Sequence, residues 1–96
     1  MRIRWDEKKR RQVLTKRNID FADLNDLLDL PYLEDQRIDQ PGQHRIIGVA
    51  RGALTTFVVE YREDKFGEYM WVVTGWRSTK QERKTYEEEI GQTGID

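Results

Sequence analysis

The chain has no cysteine, a single histidine and two prolines, and these shortages close off whole classes of function. Without thiols there is no disulfide framework to staple a small fold and no zinc-thiolate site, and nothing argues for an oxidising compartment. No apolar run approaches the roughly 20 residues that span a bilayer. The opening MRIRWDEKKRR lacks the apolar middle of a signal peptide, so the expected address is the cytoplasm, with no membrane contact. Also missing are a phosphate-binding glycine loop, a His-x-x-His spacing, a nucleophile elbow and any serine with an identifiable base beside it. Hydrolysis through a bound metal or a serine nucleophile is therefore not expected, and neither a metal nor a cofactor is implied.

Charge is what the chain has in abundance, and although the net value is −1, it is unevenly placed. Residues 1–17 carry net +6, residues 18–44 net −6, residues 45–77 net +1 and residues 78–96 net −2. A near-neutral total thus hides a basic arm and an acidic middle, either of which can serve as an interaction surface. With 96 residues the chain fits one domain, 1–96, because a fold of this size buries roughly two thirds of its unfolded surface, enough for one modest core.

Arg2-Ile3-Arg4-Trp5 alternates polar and apolar residues like a short half-buried strand, with Ile3 and Trp5 facing inward. Asp6 is placed to cap a helix from Glu7 to Arg17, which contains no Gly or Pro and has a thin inward stripe at Val13 and Leu14. Asn18 suits the left-handed turn that ends it. Asp20 can cap a second helix in which Phe21, Leu24, Leu27 and Leu28 recur at helical spacing up to Pro31. Residues 32–43 read as a connection holding a short edge strand at 32–35.

Residues 45–50, 54–61 and 69–74 read as an antiparallel meander, turned at Arg51-Gly52 and at 63–67. In the last of these strands Tyr69, Trp71 and Val73 are expected to point one way, and Met70, Val72 and Thr74 the other. Thr79 and Glu82 form a capping box for a charged helix reaching about Ile90, followed by a loose tail at 91–96. The order β-α-α-β-β-β-α predicts an α+β domain: a small antiparallel sheet with helices packed on one face, the other face being a platform partly covered by chain ends or by a partner.

Several side chains carry candidate chemistry. Asp20, Asp23, Asp26 and Asp29 recur every third residue, a spacing that fans them around a helix and reads as a cap plus a solvated face rather than a ligand set. His44 is the only group with an ordinary pKa near neutrality, hence a candidate acid or base, although a lone histidine at a strand start is more often a surface residue. The basic arm, Arg2 to Arg17 with Trp5 among its cations, suits a phosphate backbone. It equally suits a solvated helix, or one paired with the acidic stretch 20–39. Trp76 beside Arg77 suits a base and a phosphate, or alternatively a place in the core.

With those residues in place, the chain resembles the BrnT family of type II toxin–antitoxin toxins. That family opens W-D-x-x-K, continues N-L-x-K-H-G-V-x-F, has D-x-R before an E-R strand start, and closes on I-S-A-R-[KR]-A-T-x-x-E-R-x-x-Y-E. Trp5, Asp6 and Lys9 fit the opening, and Leu14, Lys16 and Phe21 the second block. Asp35, Arg37 and Arg45 fit the middle, and Arg77, Thr79, Glu82, Arg83, Tyr86 and Glu87 fit the close. The similarity spans about residues 3–88. Val13 stands where the family has asparagine, Arg17 where it has histidine, Asn18 where it has glycine and Trp76 where it has arginine. Ile38 follows the D-x-R motif where relatives often carry histidine.

The resemblance implies a RelE-like fold and metal-independent RNA cleavage, in which the 2′-hydroxyl attacks the adjacent phosphate and cations stabilise the pentavalent charge. Its implied catalytic set is Arg45, Arg77 and Lys16 as cations with His44 or Tyr61 as base, and Arg4, Lys9, Arg17 and Trp76 as RNA contacts. It also implies a ribbon-helix-helix antitoxin that binds operator DNA and an oligomeric complex of the two. A second reading is a silent member that keeps antitoxin or RNA binding without cleavage, which the pI near 5.9 favours. A third is a structural partner whose acidic residues 20–39 dock a basic protein.

Overall fold

The computed structural model describes residues 1–90 of the chain, so the expected loose tail at 91–96 lies outside the described residues. The elements are β1 (Arg2–Trp5), α1 (Glu7–Arg17), a 3₁₀ turn (Phe21–Asp23), α2 (Leu24–Leu27), β2 (Leu33–Gln36), β3 (His44–Ala50), β4 (Ala53–Asp64), β5 (Gly67–Arg77) and α3 (Lys80–Glu89). They build an α+β fold on a five-stranded sheet of order β1-β5-β4-β3-β2, antiparallel except where β1 runs parallel to β5. This order is compatible with the expected one, β2 being the edge strand, one residue later than the sequence placed it. Among the described residues no helix is long and apolar enough to cross a membrane.

Local chemistry sets most element ends. The Asp6 side chain accepts the Lys8 and Lys9 amides to start α1, and Asn18, at φ 57°, donates its amide to the Leu14 carbonyl to end it. Asp20 caps the 3₁₀ turn rather than a full helix, and its carboxylate also takes a fork of bonds from Arg10 on α1 at 2.8 and 3.0 Å. Arg51 and Gly52 both have positive φ, the requirement of the two-residue turn that keeps β3 and β4 in register. The second hairpin is longer than expected. Asp64 pairs with Gly67, so the turn shrinks to Lys65-Phe66, and Asp64 is held there by the Phe66 amide and the Arg2 guanidinium.

The two faces of the sheet are covered differently. On one, Ile46, Ala50, Phe57, Val59, Met70 and Val72 pack against Val13, Ile19, Phe21, Leu24 and Leu27 from the α1–α2 region. Close approach is built in by glycine: a Cβ on Gly48 would fall 2.8 Å from a Leu27 methyl carbon, and one on Gly75 2.9 Å from the Phe57 ring. The expected single helical face is thus the face of α1 and α2. The third helix lies against the opposite face, where Glu82 reaches Arg45, Thr56 and Trp76. That makes α3 the chain end that partly covers the platform.

A bulge decides which residues share that platform. Val58 pairs with Thr74 but Val59 with Val72, leaving Val73 as an extra residue in β5. Thr74 and Trp76 therefore join the face of Trp71 and Tyr69, while Gly75 and Arg77 join the face of Val72. The expected alternation holds through Val72 and inverts beyond Val73, because one inserted residue exchanges the two faces of everything after it.

Candidate functional site

The capping box at the start of α3 is the hinge of the site. Thr79 accepts the Glu82 amide at 3.1 Å, and the Glu82 carboxylate accepts the Thr79 amide at 2.9 Å, satisfying two orphan donors. Glu82 does more than cap. Its Oε1 also accepts the Thr56 hydroxyl and the Trp76 indole N–H, each at 3.0 Å, and its Oε2 accepts Arg45 Nη1 at 3.2 Å. The residue is only 5% exposed. Burial alone pushes the carboxyl pKa up, but the Thr79 amide, Trp76, Thr56 and the Arg45 charge outweigh it, and the net shift is downward.

Arg45, in β3, is gripped from its other side by β2: Nε and Nη2 fork onto the two oxygens of Asp35 at 2.9 and 2.6 Å. Its hydrogen bond with Asp35 raises its affinity for its proton, against the opposing effect of burial. Arg37 donates to Gln43 at 3.1 Å and to Asp39 at 3.4 Å, and Gln43 passes the chain on to Glu60. Between these groups opens a cleft of about 380 Å³ lined by Asp35, Gln36, Arg37, Ile38, Asp39, Arg45, Trp76 and Glu82. Ile38 stands at its rim, 99% exposed.

The cleft brings carboxylates, guanidinium groups and an indole together with no polar side-chain atom left buried and unpartnered among the described residues. A phosphate entering it would have to replace a carboxylate on Arg45 or Arg37, an exchange of one charge-assisted fork for another. Asp35 is half-buried with both oxygens on the Arg45 guanidinium, and Glu82 accepts four donors. Among the described residues no group of three or more histidine or acidic side chains is arranged to hold a metal ion.

Of the residues singled out from sequence, Arg45 and Trp76 meet in this cleft. Arg77 does not: it projects from the other face, its Nη1 donating to Thr55 at 3.0 Å. His44, next to Arg45 along β3, likewise points away, edge-to-face with Tyr61 at 5.0 Å and with Nδ1 3.4 Å from Glu34. Glu34 also accepts the Tyr61 hydroxyl, and burial together with that contact pushes the Tyr61 pKa up, away from service as a ready base. Lys16 and Lys9 are exposed on α1.

Arg17 reaches from the end of α1 to the Gly75 carbonyl at 2.9 Å and Thr74 Oγ1 at 3.5 Å. Arg4, on β1 opposite Trp71, lies 5.2 Å over the Tyr69 ring and 3.2 Å from Asp64. Sequence reasoning assigned Glu82 only a capping role, because its other partners, Thr56, Trp76 and Arg45, become neighbours only across the sheet. Asp35 and Arg37 carried a signal in their Asp-x-Arg spacing. Neither the family models nor the curated proteins include a match to the chain.

Proposed function

We propose that the chain is a BrnT-like toxin of a type II toxin–antitoxin pair, a metal-independent endoribonuclease acting in the cytoplasm. One observation carries the reading: Asp35, Arg37, Arg45 and Glu82, positions on which the family resemblance rests, line one cleft, together with Trp76 at a position where the family has arginine. In the proposed reaction Asp35 accepts the proton of an RNA 2′-hydroxyl. The 2′-oxygen then bonds to phosphorus, and the 5′-oxygen leaves and takes a proton from water. Arg45 and Arg37 hold the charge that grows on the phosphate, and Trp76 stacks a neighbouring base. A ribbon-helix-helix antitoxin silences the toxin in an oligomeric complex and alone contacts operator DNA.

Expression of the wild-type chain should arrest growth and degrade RNA, and Arg45→Ala should abolish both. Arg77→Ala, on the other face, should leave both intact. Wild-type protein that spares RNA and growth removes the enzyme from the proposal.

A second reading, a silent module that binds without cleaving, is favoured by Trp76 standing where the family has arginine and by the engagement of Arg45 with two carboxylates. Removing one electrostatic donor costs about 10²- to 10³-fold in rate. Trp76→Arg should therefore raise RNA cleavage by about that factor if the silent reading holds, and lower it by weakening base stacking if the wild type is already active.

A further inference from the structure

Beyond the cleft the same sheet face continues uncovered. Moving away from α3, it presents Thr74, Val58, Arg45 and Asp35 in one row, Arg4, Trp71 and Glu60 in the next, and Arg2, Tyr69 and Arg62 in the last. Tyr69 and Trp71 are two residues apart on β5 and so about 6.6 Å apart along the strand. Both rings carry cations. Arg62 lies 4.4 Å over Trp71, and Arg2 and Arg4 lie 5.3 and 5.2 Å over Tyr69.

Tyr69 and Trp71 are partly exposed, and Arg4 and Arg62 are largely exposed, with side-chain exposures of 55% and 42%. The cations are three against two local acids, Asp64 and Glu60. Arg17 adds a fourth at Thr74, between platform and cleft, and makes no ion pair among the described residues.

We infer that this face is a stacking platform for single-stranded RNA that leads into the Arg45 cleft, with Trp71 and Tyr69 each taking one base and Arg17 and Arg4 the backbone. Unpaired bases stack on aromatic rings and equally on guanidinium planes, so Arg62 and Arg4 either sandwich a base or swing to a phosphate. A duplex hides those base faces and is excluded. The platform rests on the RNA-directed reading above, and it adds the substrate's strandedness and the path of the strand.

The test is fluorescence anisotropy with a short labelled RNA carrying 2′-O-methyl groups, which block cleavage, against the wild-type full chain, Trp71→Leu and Tyr69→Leu. Each variant should bind about 5- to 150-fold more weakly, and Trp71→Phe should recover most of the affinity. The same RNA annealed to its complement should bind the wild type more weakly and respond little to either substitution. Circular dichroism checks that the variants keep their fold; should Trp71→Leu unfold, quenching of tryptophan fluorescence by RNA in Trp71→Phe against wild type answers the same question.

Unchanged affinity in folded Trp71→Leu and Tyr69→Leu overturns the platform even if the protein cleaves RNA. Loss of binding in those variants, with a wild type that never cleaves an unmodified RNA, keeps the platform and removes only the nuclease. Wild-type protein that binds neither single strand nor duplex overturns both.

Discussion

The two faces of the sheet are made from the same five strands and follow opposite rules. The face under α1 and α2 is dry: Phe57, Val59, Ile46 and Val72 are almost fully buried against Phe21, Leu24 and Leu27, and its tightest contacts are set by the absence of a side chain at Gly48 and Gly75. The face under α3 has a small apolar patch, Ile47 and Val58, and then a network of carboxylates and guanidinium groups. Apolar packing explains why the first face folds. It does not explain why a chain would bury Glu82 and hold Arg45 between two acids, since such groups give less stability than well-packed hydrophobic residues of the same volume. Function is therefore to be sought on the charged face.

The largest loss is expected on the dry face. Phe57→Ala should lower stability by about 3–5 kcal/mol, a large share of the roughly 5–15 kcal/mol of a native domain, as thermal melts followed by circular dichroism would register. On the charged face Glu82→Ala should cost about 3 kcal/mol, because it strands the Trp76 indole and the Thr79 amide and takes one of its two carboxylates from Arg45. Glu82→Gln probes the same network through pH. The folded-state pKa of Glu82 lies below its ordinary value of 4.5, so its contribution is present above that value and is lost as pH falls through the lower, folded one. Melting temperature measured from neutral pH down through about pH 4 should therefore fall less steeply in Glu82→Gln than in the wild type.

A smaller effect is expected where the two faces meet in one strand. Gly75→Ala adds a single methyl group against Phe57 and Ile19 and should cost about 1–3 kcal/mol by overpacking, measured by denaturant titration. Smallest is Arg17→Gln, which removes a cation held, among the described residues, by the Gly75 carbonyl and Thr74. Stability should barely change, but the slope of log affinity against log salt for single-stranded RNA should shrink by about 0.7, the share of one phosphate contact.

Much of this was legible one residue at a time. Asp6, Asn18, Thr79 and Glu82 announced the helix ends, and Arg51-Gly52 announced a turn, because caps and turns are satisfied by atoms a few residues apart. The same locality explains the misplacements. Arg45 and Arg77 were expected at one phosphate, yet they stand on opposite sides of the sheet. Nothing near Val73 in the sequence marks the bulge that sends Trp76 toward the cleft and Arg77 away from it. His44, chosen for its chemistry, points away for the plainer reason that it is adjacent to Arg45 on a strand.

The ends of most helices and strands, the α+β class and the crowding of cations into the first 17 residues all follow from the order of amino acids. Which face each strand residue serves does not, nor does the packing of α3 opposite α1 and α2, nor the meeting of Asp35, Arg45, Trp76 and Glu82 in one cleft; these belong to the tertiary structure. The physical reason is range. Caps and turns are closed by backbone donors within one turn of the chain, whereas a shared face depends on strand register, and one extra residue in β5 reverses it.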